Sequence, residues 1–238
     1  MIAASALAPH ERDSSDVAAL DVIGLLPGDG MPVWTDPLDL VVPAGARFVL
    51  FTDTARSAAL FRLVAGMIDP GAGSLRVFGA DPAGLTRHDM QRYRRSLGIG
   101  LLPHGLLSNL TLRLNVIVPL VYAGILDNVS AGERASEVLD ACGILAQADR
   151  RPADVPPDIR QRAVIARAIA RRPRLLLLDD PVWGVDREGA EQLVDICTAW
   201  SETILLATHR PDAILGAAAT HEADWTEDGP PVIRAGTG

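Results

Sequence analysis

The run Arg174-Leu-Leu-Leu-Leu-Asp-Asp-Pro181 constrains the fold more than any other stretch. Four consecutive leucines have neither a helical nor an alternating period, so they read as a strand buried on both faces. Such a strand belongs in a parallel sheet covered by helices, which makes the chain α/β. Two acids stand where the strand ends. In an open parallel sheet, ligand chemistry gathers at the carboxyl ends of the strands, and a carboxylate there is a usual way for an NTPase to hold Mg²⁺. A core strand capped by two solvated acids accounts for the run equally well. Glu202-Thr-Ile-Leu-Leu-Ala-Thr-His-Arg210 is a second buried strand ending in a polar pair.

A chain of 238 residues with 48% hydrophobic content can build one domain with a substantial core. Its net charge of −8 does not suggest nucleic-acid binding. All 22 basic residues are arginine. Cys142 and Cys197 lie far apart on apolar helical patterns and read as buried thiols rather than a disulfide or metal site. The first 15 residues carry no basic n-region, and no apolar run reaches the ~18 residues of a membrane span. The expectation is a soluble chain that meets a membrane only through a partner.

Residues 1–18 are small and polar and are expected to be poorly ordered. Asp21–Leu26 reads as an edge strand and Pro27–Gly30 as a turn. Leu38–Val42 and Arg47–Phe51 are strands. Ser57–Met67 is helical, with Leu60, Leu63, Val64 and Met67 on one face. Pro70–Gly73 is a turn before a strand over Leu75–Gly79, and Gly98–Leu102 is a short strand. Ser130-Ala-Gly-Glu133 reads as a capping box opening a helix with Ala135, Val138, Leu139 and Cys142 on one face. Val232–Arg234 is one further strand.

The helix pattern Arg160-Gln-Arg-Ala-Val-Ile-Ala-Arg-Ala-Ile169, the Leu175–Asp180 strand, Val182-Trp-Gly-Val-Asp186 and His209 follow one another in a recognisable series. From about Leu38 to Arg210 the chain resembles the ATP-binding subunits of ABC transporters. Asn109-Leu-Thr-Leu-Arg-Leu-Asn115 is similar to the segment that opens their helical subdomain. The resemblance implies a P-loop NTPase-like parallel sheet core, an ABC-type helical subdomain over about 87–155 and an N-terminal antiparallel β portion. It makes 19–238 a single domain.

The resemblance also assigns site positions, and most hold the wrong residue. A phosphate loop needs glycines so that backbone N–H groups can curl round the β-phosphate, a lysine for the β/γ oxygens and a hydroxyl for Mg²⁺. The matching stretch is Phe51-Thr-Asp-Thr-Ala-Arg-Ser-Ala58. Phe51, Thr54 and Arg56 take the glycine positions, Ser57 the lysine position and Ala58 the hydroxyl position. Asp53 adds a like charge beside the phosphates. Arg56 stands one residue early to replace the lysine, and a guanidinium fork is not a compact ammonium. The Q-loop glutamine is Leu102, followed by His104. The signature aligns with Val155-Pro-Pro-Asp-Ile159, where Pro156 and Pro157 remove amide donors and Asp158 reads as an N-cap. Asp180 stands for the catalytic glutamate, one methylene short. Asp179 keeps the Mg²⁺ position, His209 the switch position and Asp186 the D-loop acid. Trp34 is near the adenine position, but its place beside a strand suggests core.

Family dimers pair one subunit's phosphate loop with the other's signature. Both are altered here, so even an intact partner would leave each composite site with one altered half. These substitutions lead to the expectation of a catalytically degenerate subunit, structural or regulatory, in a membrane transport complex related to lipid or lipoprotein handling. It would bind no cofactor tightly. Its partners would be a membrane permease and a second ATP-binding subunit, identical or different, holding it at the cytoplasmic face of the inner membrane. Two alternatives stand beside this reading. One is an active ATPase that uses ATP and Mg²⁺ through a non-consensus site of Arg56, Asp179 and Asp180. The other is a soluble scaffold or regulator no longer tied to transport.

Overall fold

The computed structural model describes residues 18–28, 33–101, 105–181, 187–209, 219–226 and 229–235. Residues 1–17 of the expected N-terminal tail, together with Leu102, His104, Trp183 and Asp186, lie outside the described residues.

Among the described residues nine strands run in two sheets. β1 (Leu20–Pro27), β2 (Leu38–Val42) and β4 (Pro70–Val77) form an antiparallel sheet ordered β2-β1-β4. β3 (Arg47–Phe51), β5 (Leu97–Gly100), β6 (Leu175–Asp179), β7 (Thr203–Thr208), β8 (His221–Asp224) and β9 (Val232–Ala235) form a second sheet ordered β5-β6-β7-β3-β8-β9. Every pairing in the second sheet is parallel except β8 with β9. The mixed α/β core with an N-terminal antiparallel portion is therefore the one the sequence implies.

The leucine run behaves as its lack of period demands. Leu175–Leu178 are at most 1% exposed. Leu176 and Leu178 join a core built with α3 (Leu112–Tyr122), α4 (Asn128–Ala141), α5 (Pro157–Ile169) and α6 (Arg187–Trp200). Leu175 and Leu177 point the other way, into a core with α1 (Thr54–Val64) and the antiparallel sheet. Burying one leucine side chain is worth about 1.5–3 kcal/mol, so this strand is an anchor for both halves. It holds the acids at its end in a fixed place.

Several expected boundaries change. β1 is the central strand of its sheet rather than an edge, because β4 reaches back to Pro70 and covers its open side. The expected Pro70–Gly73 turn is thus strand. Gly73, at φ 80°, allows the close approach, since a Cβ there would lie 2.2 Å from the Gly24 carbonyl oxygen. α1 starts at Thr54, three residues before the expected start, because Asp53 caps it. Asp127, rather than Ser130, caps α4 through the Ser130 N–H. Asp158 is not an N-cap. Pro156 occupies that position without a side-chain bond, and Pro157 opens α5, where a missing N–H costs nothing.

α2 (Arg87–Arg95) leads into β5, which pairs with β6, and the helices α3 and α4 follow before the chain returns through α5. The Asn115 side chain is buried and clamps the preceding loop, accepting from the Leu107 N–H at 2.7 Å and donating to the Leu107 carbonyl at 3.1 Å. Cys142 and Cys197 are buried free thiols. Burial pushes both up, Cys142 to about 12, so neither is a thiolate at neutral pH. Among the described residues no helix is long and apolar enough to cross a membrane.

Candidate functional site

The carboxyl ends of β6 and β7 meet the amino end of α1, and four of the sequence-predicted residues, Ser57, Asp179, Asp180 and His209, come together there. Asp179 closes β6 and is 3% exposed. The Ser57 hydroxyl, 1% exposed, lies 2.7 Å from Asp179 Oδ1. Burial raises the Asp179 pKa and the charge of Asp180 adds to this, while the Ser57 hydrogen bond and His209 act against it. The sequence alignment gives the hydroxyl role to Ala58. The structure gives the contact with the strand-end acid to Ser57, because α1 already begins at Thr54 and its first full turn points Ser57 at β6. Ala58 is half-buried and Thr54 is exposed on the outside of the same turn.

Asp180 adopts a left-handed backbone, φ 46°, with its N–H donating to the Ala207 carbonyl at 2.7 Å. Such a conformation is uncommon for a residue with a Cβ, though aspartate tolerates it better than most. It turns the carboxylate towards β7. There the Thr208 hydroxyl donates to Oδ1 at 2.8 Å, and Nδ1 of the exposed His209 lies 3.1 Å from Oδ2. The switch-position histidine and the second acid therefore form a pair. From α5, the buried Gln161 side-chain amide donates to the Pro181 carbonyl, tying that helix to the turn after the acids.

The loop side is built differently. The Asp53 carboxylate accepts from the backbone N–H groups of Ala55 at 2.8 Å and Arg56 at 2.9 Å. Its other oxygen is 3.4 Å from Arg56 Nε. Arg56 is buried. Its guanidinium donates to the Trp225 carbonyl at 3.0 Å and lies 5.3 Å over the Trp225 ring. Trp225 packs edge-on against Trp34 at 5.0 Å. Trp34 is 5% exposed and its indole N–H donates to the Leu25 carbonyl, so it is core and offers no face to a base. Phe51 is half-buried against the helical core. The Thr52 hydroxyl, 1% exposed, has no hydrogen-bond partner among the described residues, a defect worth about 1–3 kcal/mol.

Pro156, Pro157 and Asp158 are exposed at the start of α5. Arg160 holds the preceding turn, donating to the Val155 carbonyl at 2.8 Å. The Asp53 cap, the Thr208 hydroxyl, the Gln161 bond and the Arg56–Trp225 contact have no signature in the sequence beyond polar residues near recognised positions.

A carboxylate and a hydroxyl are hard oxygen donors, and Mg²⁺ is commonly held by one or two such groups together with phosphate oxygens. Ser57 and Asp179 fit that requirement. Among the described residues no group of three or more His, Cys, Asp or Glu could hold a metal, so a cation here would need phosphate oxygens to complete its shell. The fit is less direct on the phosphate side. The α1 amino end offers amides, but Asp53 already occupies two of them.

Residues 57–183 match the ABC transporter family model. The match begins at Ser57, inside the 51–58 stretch. The chain is 34% identical over 182 residues to the methionine import ATP-binding protein MetN of Caulobacter vibrioides, covering 74% of this chain and 54% of the relative. It is 31% identical over 206 residues to the protein MetN 1 of Rhodopseudomonas palustris, covering 84% and 51%. The chain thus spans about half the length of these relatives. Its fold is that of a dimeric ATP-binding cassette solved after hydrolysis with ADP and phosphate bound, with a TM-score of 0.79 at 19% identity, covering 92% of this chain and 99% of that one. It is also that of cbiO1 from Clostridium perfringens, part of the transporter complex cbiONQ, with a TM-score of 0.76 at 21% identity, covering 92% and 88%.

These relatives correct the expectation of a catalytically degenerate, structural or regulatory subunit: they are ATP-binding proteins of importers. They also replace the lipid and lipoprotein resemblance, since both are named for methionine import.

Proposed function

The chain belongs to the ABC transporter family, and from that premise we propose that it is an ATP-binding and ATP-hydrolysing subunit of a membrane importer, working through a non-consensus nucleotide site. The observation that carries this reading is the strand-end cluster, where Ser57 meets Asp179 at 2.7 Å and His209 meets Asp180 at 3.1 Å. Two acids at one strand end with separate partners are suited to separate tasks. Asp179 and Ser57 are the pair to hold Mg²⁺ with ATP. Asp180, oriented by Thr208 and His209, is the group to position and deprotonate the attacking water. Arg56 is the one cation of the 51–58 stretch and would reach the phosphates by leaving Asp53 and Trp225.

The protein is proposed to work as a pair of ATP-binding subunits, identical or different, on a membrane permease at the cytoplasmic face of the membrane. The exposed Pro156–Asp158 edge is proposed to face the other subunit's nucleotide, and Leu102 and Asp186 to keep their Q-loop and D-loop places. Residues 19–238 form one domain in this reading, with a helical part over about 87–155. Methionine is the first cargo to test, from the names of the relatives.

The test is calorimetric titration with ATP and Mg²⁺, followed by turnover measured alone and with the permease. Mg²⁺-dependent binding and permease-stimulated hydrolysis are expected. No heat and no turnover, with or without the permease, overturns the proposal.

A further inference from the structure

The phosphate side of the site already contains an anion. The Asp53 carboxylate takes the N–H groups of Ala55 and Arg56 and faces the Arg56 guanidinium. Those are the three groups of this loop with which a phosphate would bond, two backbone donors at a helix amino end and the cation of the same stretch. Such a cap is ordinary for a helix start. Two further features set this one apart. Arg56 is turned away from the strand-end acids and held on Trp225 by a 3.0 Å hydrogen bond and a ring contact. Just before that turn the buried Thr52 hydroxyl has no partner among the described residues, an unmet bond that a rearranged loop could supply.

Resting on the nucleotide-binding reading above, we propose that Asp53 is an internal competitor for phosphate, and that nucleotide binds by displacing its carboxylate from Ala55, Arg56 and the Arg56 guanidinium. The displaced carboxylate turns into solvent, where its side chain is already 54% exposed. Arg56 leaves Trp225 for the phosphates. The loop therefore selects for polyphosphate carrying enough charge to outcompete a carboxylate held at contact distance, and a nucleoside without phosphates gains nothing from the exchange. Asp53 is a specificity-determining residue here and touches no reacting atom.

The substitution Asp53→Asn tests this, since asparagine caps a helix about as well as aspartate but carries no charge. Asp53→Ser is a second variant with the same logic, and the thermal midpoint of each shows whether the fold is kept. Calorimetry with ADP, inorganic pyrophosphate and adenosine is the measurement. Removing one negative charge beside a phosphate is expected to tighten ADP and pyrophosphate about tenfold and to leave adenosine unchanged. Adding Arg56→Gln should remove the gain. Tryptophan fluorescence should change on ADP addition in the Asp53→Asn variant and stay flat in the double variant.

Equal or weaker ADP and pyrophosphate affinity in both folded variants overturns the competition, as does an equal gain for adenosine. If ADP binds to neither the wild type nor the variants while pyrophosphate still tightens, the competition stands and the ATP-binding reading falls. If ADP binds the wild type and the variants alike, the reverse holds.

Discussion

The two walls of the nucleotide site contrast. The strand-end wall brings Asp179, Asp180 and His209 together with Ser57 and Thr208 as their partners. The loop wall, Phe51 to Ala58, is held by the Asp53 cap and by the contact of Arg56 with Trp225. The difference follows burial. Asp179 is the last residue of a strand whose four leucines are packed on both faces, so its place is set by two hydrophobic cores at once. The loop touches those cores less, and its residues Asp53, Thr54 and Ala55 are exposed. In the proposed reading, the metal and water side would sit on the better-buried wall and the phosphate side on the more exposed one.

The largest expected effect tests the strand-end wall. Asp180→Asn should lower permease-stimulated ATP turnover by about 10²-fold or more, the scale of a lost general base, with ATP affinity little changed. A variant with full turnover would move the catalytic role elsewhere and break the contrast. Ser57→Ala comes next. It leaves a buried carboxylate without its hydroxyl and should cost about 1–3 kcal/mol of stability, read as a lower denaturation midpoint, together with weaker Mg²⁺ dependence of ATP binding. If Ser57→Ala is neutral in both measurements while Ala58→Ser strengthens the Mg²⁺ response, the hydroxyl belongs at residue 58.

Asp179→Asn sharpens the comparison through pH. The Asp179 pKa is raised in the folded protein by burial, so the folded state holds its proton more tightly than the unfolded chain. Its contribution is fully present below the ordinary carboxylate range and is lost as pH rises through the raised value. The asparagine variant removes that loss. Its thermal midpoint relative to wild type should therefore rise between acid and neutral pH, while its Mg²⁺-dependent nucleotide binding disappears. A midpoint difference that stays flat with pH would show that Asp179 titrates alike in the folded and unfolded chain, its burial offset by the Ser57 hydrogen bond and His209. The smallest effect belongs to the exposed edge. Asp158→Ser should change stability by less than about 0.5 kcal/mol and act only on association of two ATP-binding subunits, as seen by sedimentation with ATP.

Much of the fold could be read from the residues because its signals are local and strong. The leucine run gave its strand and the two-faced burial, and β2 and β3 fall where their apolar runs are. The misplaced boundaries are those where a cap decides. Asp53 and Asp127 each start a helix before the periodic residues begin, and β1 became central only because a distant glycine-containing segment covers it. The site was legible as positions and less so as contacts. The sequence match puts Ser57 at the lysine position and gives no sign of its bond to Asp179, because a ladder of sequence matches cannot show where a helix turn points. Trp225, 169 residues from Arg56, carries no local sign that it holds the loop. The degenerate reading failed for a related reason. It counted replaced residues, while the family membership rests on the strand and helix framework from Ser57 onward.

The loop wall and the strand-end wall are also joined. The Thr52 N–H donates to the Thr208 carbonyl at 2.9 Å, and the Thr208 hydroxyl donates to Asp180 at 2.8 Å. Thr208 therefore acts as a crank between two parts that the sequence keeps far apart. A shift of the loop pulls the Thr208 backbone, and the same residue's side chain carries that pull to the group facing His209. Under the proposed function, a change at the loop would reach the acid facing His209 through the two hydrogen bonds of Thr208.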